Sequence, residues 1–386
     1  MKNIYSLDDF ERYAQRRLPS QLFSYITNGA EDEKTLRGNR SAFDRLALLP
    51  RVLRDVSTRT QQISLFGQRF SSPVGIAPVG MAAMWHYRAD LDLATAAAKS
   101  EIPAIMSGAS LVPMEDVAKA APKTWFQAYL PASANDTEAL VHRVAAAGFQ
   151  TLVVTVDLPV TVNPERYLRN GFSNPLRPNL KLFWEGVSHP IWLTRVLMRT
   201  IASHGLPRFE NLGSSRGASI LTTKPVNNFI NRDFFSWEHA KLIRRLWTGN
   251  LVIKGVLRPD DAVTARDLGF DGVIVSSHGG RQLDSAIPPL LVLQDVVKAV
   301  PDMAVMMDSG VRRGSDALKA LALGAKCVFI GRPFHYAAAY AGRQGVDRAI
   351  KIIQSEIHRN MAFLGINTID EMDSSLIRDL GVYRLS

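Results

Sequence analysis

The sequence predicts a (β/α)8 barrel, in which eight parallel strands close on themselves beneath an outer layer of helices. Eight short apolar, β-branched runs recur along the chain, and segments with helical periodicity separate them. Near-continuous apolar strands that alternate with helices indicate a parallel sheet covered on its outside. Eight such units in about 260 residues match the size of this barrel. An open, doubly wound sheet is the alternative.

The predicted strands alternate with alanine-rich helical stretches. The strands are Val74–Val79, Ala104–Ser107, Trp125–Leu130, Thr151–Val156, Leu251–Lys254, Gly272–Val275, Met303–Met307 and Cys327–Ile330. The helical stretches include Leu91–Lys99, Ala139–Ala147, Pro259–Leu268, Leu290–Ala299 and Ser315–Leu323.

Two segments lie outside this repeat, within what we take as a single domain, residues 1–386. Residues 1–70 are predicted to form an N-terminal helical cap that ends in a small hairpin around Gly67. Residues 158–250 form an insertion after the fourth strand, too long for an ordinary βα loop. The insertion contains Trp184, His189–Leu193 and the basic, apolar run Arg195–Arg199. The insertion is predicted to form either a partly disordered surface loop or an amphipathic patch that binds a membrane surface.

Composition narrows the class of protein. Of 386 residues, 46% are apolar and 21% charged, which excludes a disordered chain. Cys327 is the single cysteine, so a disulfide framework is excluded. The net charge of +10 suits acidic ligands, anionic membranes or nucleic acid. The N-terminus lacks an export signal and no apolar run reaches about 18 residues, so we expect a cytoplasmic protein.

Polar or small residues follow every predicted strand. The carboxyl ends of barrel strands form one rim, where chemistry collects. These residues are Gly80, Ser107, Gln127 with Tyr129, Thr155 with Asp157, Lys254, Ser276 with His278 and Arg281, Asp308-Ser309-Gly310, and Gly331-Arg332. Their shared position indicates an enzyme.

The last two strand ends predict a phosphate site. Ser309-Gly310 and Gly331-Arg332 let the backbone approach an anion, and Arg312 or Arg332 can add paired donors. Ordinary turn glycines with solvated arginines are the alternative. The chain has no G-x-x-x-x-G-K-[ST] run and no convincing dinucleotide fingerprint, so neither ATP nor NAD is indicated.

Four residues have the side chains for acid–base chemistry on an anionic substrate. His278 can accept a proton near neutral pH, and Asp157 can stabilise the resulting imidazolium. Arg281 can clamp a carboxylate through two hydrogen bonds. In the structural alternative, His278 packs in a loop that Asp157 caps. Lys254 can form a Schiff base, neutralise a phosphate or face a cofactor that becomes anionic.

Beyond these inferences, the chain resembles the FMN-dependent 2-hydroxy acid dehydrogenases and oxidases over nearly its whole length. The matching segments follow the family order: Gly29–Glu33, Ile76–Pro78, Trp125–Gln127, Thr155–Asp157, Lys254-Gly255, Ser276–Asp284, Asp308–Gly314, Ala322–Ala325 and Ile330–Arg332. The resemblance implies FMN as cofactor and oxidation of an (S)-2-hydroxy acid, lactate- or mandelate-like, to the 2-oxo acid.

The same resemblance implies roles for individual residues. His278 would be the base, with Asp157 as its charge partner. Arg281 and Tyr25 would hold the substrate carboxylate, and Tyr129 would contact its hydroxyl. The residues implied to hold the isoalloxazine are Val79, Gly80, Ser107, Gln127, Thr155, Lys254 and Ser276. Those implied to hold the ribityl chain and phosphate are Asp308, Ser309, Gly310, Arg312, Gly331 and Arg332.

Two small residues and the insertion bear on substrate, acceptor and partners. Gly80 resembles the dehydrogenase branch, which favours a quinone over oxygen, and Ala109 leaves room for a larger substrate. The insertion corresponds to a variable loop that contacts the membrane in some bacterial members, which implies peripheral attachment on the cytoplasmic face. The resemblance also implies a homotetramer and no nucleic-acid partner.

The chain departs from the family at two points. Pro164 stands where an arginine usually begins the Arg-x-Arg-Asp-Leu-Arg-Asn-Gly-Phe pattern, and proline offers no donor. Arg166 is a candidate substitute from a shifted loop. Ser277 replaces the usual asparagine beside His278. Two alternatives remain: a flavoenzyme recruited to a peptide or biosynthetic intermediate, and an inactive basic barrel that binds membrane or RNA.

Overall fold

The computed structural model describes residues 3–163, 165–171, 180–221 and 232–381. An N-terminal cap of three helices precedes the barrel: α1 (Leu7–Arg17), α2 (Ser20–Thr27) and α3 (Lys34–Asp44). Three short strands follow, β1 (Leu46–Leu48), β2 (Ile63–Leu65) and β3 (Gln68–Phe70). Strands β2 and β3 form an antiparallel hairpin at Gly67, as predicted, and β1 pairs with β12 (Ile377–Asp379) at the other end of the chain.

Eight parallel strands form the closed barrel that the sequence predicts. They are β4 (Val74–Ile76), β5 (Ile105–Ser107), β6 (Trp125–Ala128), β7 (Thr151–Thr155), β8 (Asn250–Val256), β9 (Gly272–Val275), β10 (Ala304–Met307) and β11 (Cys327–Ile330). From β5 to β11 each strand pairs with the next one in sequence, and β11 pairs with β4. A parallel bridge between Ile76 and Ala104 closes the ring, so the open-sheet alternative is wrong.

Helices cover the outside of the barrel. They are α4 (Ala89–Lys99), α5 (Met114–Ala120), α6 (Ala134–Ala146), α11 (Trp237–Leu246), α12 (Pro259–Asp267), α13 (Pro289–Ala299), α14 (Gly314–Ala322) and the long α15 (Arg332–Leu364). Most are amphipathic and bury alanine, leucine and valine against the strands, for example Leu140 and Val144 of α6. The cap helix α1 packs on α15 through buried Leu7 and Phe10, which joins the cap to the barrel.

A separate apolar cluster fills the inside of the barrel. Val153, Ile274 and Met306 alternate with outward-facing residues on their strands and meet Trp125 and Phe329, whose ring centroids lie 5.4 Å apart. The hairpin adds Phe66, whose ring lies 5.4 Å from that of Trp125. Because this cluster occupies the interior, polar chemistry is left to the strand ends.

The described part of the insertion is largely helical. It contains α7 (Glu165–Arg169), α8 (Leu180–Ser188), α9 (Pro190–Trp192), a π-helical turn (Leu193–Met198) and α10 (Arg199–His204). Trp192 and Val196 are buried, and the Trp192 indole donates a 2.7 Å hydrogen bond to the Met84 carbonyl. No helix of the described residues is both long and apolar enough to cross a bilayer.

Candidate active site

One cleft lies over the carboxyl ends of the barrel strands. Its empty space, including the open mouth, is about 1340 Å³. The predicted residues that line it are Tyr25, Val79, Gly80, Tyr129, Lys254, His278, Arg281, Asp308, Ser309, Gly310, Arg312, Gly331 and Arg332.

His278 and Asp157 form a pair beside this cleft. His278 Nδ1 lies 3.0 Å from Asp157 Oδ1, and the His278 amide donates to Ser276 Oγ at 2.9 Å. Burial raises the pKa of the Asp157 carboxyl, but the charge and hydrogen bond of His278, together with the charge of Lys254 and a backbone hydrogen bond, hold that pKa below its usual value. A carboxylate on Nδ1 fixes the ring and leaves Nε2 free to take a proton.

Lys254 is a buried cation with a buried carboxylate as its partner. Its side chain is 3% exposed, and Nζ lies 3.1 Å from Asp308 Oδ2 and 3.0 Å from Ser276 Oγ. Burial alone would lower the pKa of Lys254, yet Asp308 and Asp157 raise that pKa above its usual value. A lysine held protonated is a poor nucleophile, which disfavours the Schiff-base alternative.

Arg281, Tyr25 and Tyr129 lie together at the mouth. The Arg281 guanidinium donates to the Tyr25 carbonyl at 2.5 Å, and its Cζ is 4.7 Å from the centroid of the Tyr25 ring. Tyr129 is buried, and burial followed by the charge of Asp157 raises the pKa of its phenol. Its hydroxyl therefore stays protonated and can donate a hydrogen bond.

Several polar groups behind the cleft are buried and unsatisfied. Gln127 Nε2 and Thr155 Oγ1 have no hydrogen-bond partner among the described residues, while Ser107 Oγ donates to Gln127 Oε1 at 3.2 Å. An unmade buried hydrogen bond costs about 1–3 kcal/mol. At Gly80 a Cβ would lie 2.8 Å from Ala109 Cβ, so glycine keeps this wall open. These groups fit a flat ring with polar edges.

The predicted phosphate site brings two glycines and two arginines, Arg312 and Arg332, to the wall of the cleft. Gly310 has φ of 87°, and a Cβ there would lie 2.2 Å from the Asn39 carbonyl oxygen, so only glycine fits. Gly331 precedes α15, whose N-terminus favours an anion. Arg332 donates to the carbonyls of Ile26, Gly279 and Asn28 at 2.9–3.1 Å, so carbonyl oxygens hold its guanidinium. Burial lowers the pKa of Arg332 to about 10.

Some residues of interest lie elsewhere. Arg166, the suggested substitute for the arginine missing at Pro164, pairs instead with Glu33, Nη1 to Oε2 at 2.7 Å. Pro164 itself lies outside the described residues. Ser277 Oγ donates to Asn39 Oδ1 at 3.1 Å. Phe209 of the insertion lines the cleft, which strand-end reasoning missed because that residue follows no strand.

The comparisons with known proteins agree with this geometry. A family model described as FMN-dependent dehydrogenase matches residues 14–379. (S)-Mandelate dehydrogenase of Pseudomonas putida is 37% identical over 383 residues, covering 99% of this chain and 95% of that protein. L-Lactate dehydrogenase of Alcaligenes faecalis is 37% identical over 384 residues, covering 97% and 98%.

Solved structures give the same result. The structure described as the monotopic membrane protein (S)-mandelate dehydrogenase matches with a TM-score of 0.89 and 35% identity, covering 98% of this chain and 100% of that one. Mandelate oxidase with (S)-2-phenylpropionate matches with a TM-score of 0.79 and 31% identity, covering 95% and 96%.

FMN fits the cleft on the residues present. The unsatisfied Gln127 and Thr155 atoms offer partners to the polar edges of its ring, and the buried Lys254 offers a positive charge. Gly310 and Gly331 line the cleft at the two strand ends predicted to hold its phosphate. The chain belongs to the FMN-dependent 2-hydroxy acid dehydrogenases.

Proposed function

We propose that this dehydrogenase oxidises an (S)-2-hydroxy acid with a ring-sized apolar substituent, such as mandelate, to the 2-oxo acid. The observation that carries the proposal is the His278–Asp157 pair, 3.0 Å apart, in the same cleft as Arg281 and Tyr129. This set joins a base to a carboxylate clamp. The whole-chain relatives favour this reaction over a peptide substrate or an inactive barrel.

The cofactor residues divide into two groups. Ser107, Gln127, Thr155, Ser276 and the backbone at 79–80 would hold the FMN ring, with Lys254 supplying a positive charge. The residues that would hold the ribityl chain and phosphate are Asp308, Ser309, Gly310, Arg312 and Gly331. Arg332 would hold the surrounding loops in place through its hydrogen bonds to their carbonyl groups. FMN, when bound, accepts the two electrons of the oxidation.

The chain's own residues handle the substrate and its protons. Arg281 and Tyr25 bind the carboxylate, which orients Cα toward His278. His278 Nε2 takes the Cα proton, and Asp157 stabilises the imidazolium from the Nδ1 side. The Tyr129 hydroxyl contacts the substrate hydroxyl.

The visible spectrum of the purified, FMN-loaded protein tests this function. We expect the absorbance to bleach without oxygen on addition of (S)-mandelate or L-lactate, and (R)-mandelate to leave it unchanged. A protein that binds FMN but is not bleached by a broad panel of 2-hydroxy acids would contradict the proposal.

Ala109 gives a prediction about substrate size. Its side chain is buried against Gly80 and lines the cleft, so an indole there would occupy the space for the substrate's substituent. We expect Ala109→Trp to lower kcat/KM for (S)-mandelate about 100-fold and for L-lactate less than about threefold. Ala109→Ser is the small matched control. An equal loss for both acids in Ala109→Trp would show that Ala109 does not select by size.

The acceptor and the assembly rest on the resemblance to the dehydrogenase branch. Gly80 supports a quinone acceptor in preference to oxygen, and substrate-dependent quinone reduction that exceeds oxygen uptake would support it. We also propose a homotetramer, which sedimentation of the holoenzyme tests.

The insertion supports peripheral membrane attachment, on the cytoplasmic face. Trp192 and Val196 anchor the inner side of its helices, while Phe183, Trp184, Ile191 and other apolar side chains are exposed. The basic residues Arg195 and Arg199 lie on the same segment and are exposed, a combination typical of helices on an anionic membrane surface. A solved relative is described as a monotopic membrane protein.

Flotation with phosphatidylglycerol vesicles tests this attachment. We expect Trp184→Glu to lower the membrane-bound fraction severalfold, because a charge then replaces an aromatic side chain at the bilayer interface. Phe363→Glu, an equally exposed aromatic on α15, is the matched control. Equal binding by the two variants would contradict a role for α8.

A further inference from the structure

Arg232 is a buried arginine whose side chain has no hydrogen-bond partner among the described residues. The residue is 4% exposed, and its Nε, Nη1 and Nη2 atoms are unpaired within the described ranges. Burying an ion is costly unless other charges or dipoles compensate it. The groups that surround Arg232 therefore indicate the role of its charge.

Arg232 lies directly behind one of the residues that line the cleft. Its Cζ is 5.6 Å from the centroid of the Tyr129 ring and 5.6 Å from that of Phe235, within the range of cation–π contacts. Its backbone amide donates to the Pro159 carbonyl at 2.9 Å, next to Val160, which lines the cleft. Arg232 itself is not among the lining residues.

A second buried group of the site, of opposite charge, also has an unsatisfied atom. Asp157 Oδ1 contacts His278, but Asp157 Oδ2 is buried and has no hydrogen-bond partner in the part of the chain that is described. Burial lowers the pKa of Arg232, and the negative charge of Asp157 opposes this shift.

We propose that Arg232 is a positioning residue of the catalytic site, whose guanidinium holds the Tyr129 ring through a cation–π contact. The proposal rests on the proposed function. Arg166 is paired with Glu33 and does not line the cleft, so it does not supply this positive charge. Arg232 acts through Tyr129, whereas Arg281 lines the cleft, where the substrate would bind.

These different roles predict that substitutions of the two arginines change different kinetic constants. We expect Arg232→Met to lower kcat about 10- to 100-fold, the usual loss when a group that orients a catalytic residue is removed. KM for the 2-hydroxy acid should change less than about threefold. Arg281→Lys should mainly raise KM, because a point charge replaces a two-pronged donor. Arg232→Lys, which keeps the charge, should recover part of kcat.

Chemical rescue separates the charge of Arg232 from its volume. We expect millimolar guanidinium to raise kcat of Arg232→Ala at least about fivefold and urea, of similar shape but neutral, to leave it unchanged. Arg258→Ala, which removes an exposed arginine paired with Asp260, should respond to neither. Visible absorbance and thermal unfolding of each holoenzyme report whether FMN and the fold are retained.

The outcomes distinguish this inference from the proposed function. A wild-type holoenzyme that oxidises no 2-hydroxy acid contradicts the function itself. If the wild type is active, an unchanged kcat in Arg232→Met overturns the inference. Equal rescue of Arg232→Ala by guanidinium and urea, or rescue by neither, does the same.

Discussion

His278→Gln is expected to keep FMN bound and to lose turnover. Glutamine is similar in size and can still donate toward Asp157, but it has no nitrogen that accepts a proton near neutral pH. Since a positioned general base contributes about 10²- to 10⁴-fold, we expect kcat to fall by that factor. Anaerobic stopped-flow absorbance with (S)-mandelate measures the reduction step directly.

A second histidine provides the matched control for this substitution. His142 lies on the outer face of α6, where its exposed ring is near Glu138. We expect His142→Gln to reduce FMN at the wild-type rate. If His278→Gln did so as well, with its FMN absorbance intact, then His278 would not be the base and the proposed mechanism would be wrong.

The barrel could be predicted because its strands are local patterns. The observed β9 and β11 begin and end at the predicted residues, and other strands differ by a few residues at their ends. The strand-end residues of the candidate site could be predicted because parallel strands bring all their carboxyl ends to one rim, whereas Tyr25 of α2 came only from the family resemblance. Lys254 and His278, separated by 24 positions, thus line one cleft.

Features that depend on distant pairing or on competition between partners could not be predicted. The β1–β12 pair joins the two ends of the chain through strands of three residues, too short to carry a period. Three of the five N–H groups of Arg332 donate to the carbonyls of Ile26, Gly279 and Asn28, which its position after a strand does not reveal. Arg232 follows no strand, and its burial arises only when the insertion packs behind Tyr129.

Lys254→Met is expected to destabilise the holoenzyme by about 3–5 kcal/mol, because it leaves Asp308 as a buried charge without its partner. The free energy of unfolding in urea, with FMN at one fixed excess, measures this loss. Because the folded-state pKa of Lys254 is raised, its contribution is complete below the ordinary lysine pKa of about 10.4 and is lost only above it. The difference between wild type and variant should therefore be flat between about pH 6 and 9.

Asp308→Asn supplies the rest of a double-mutant cycle. Asparagine removes the charge but keeps the shape, so Lys254→Met combined with Asp308→Asn should be more stable than Lys254→Met alone. The coupling between the two positions should reach about 1–3 kcal/mol, as for other residues in direct contact. If the losses of stability in the two single variants were additive, the 3.1 Å pair would contribute no stability of its own. The charge of Lys254 would then serve ligand binding and not the fold.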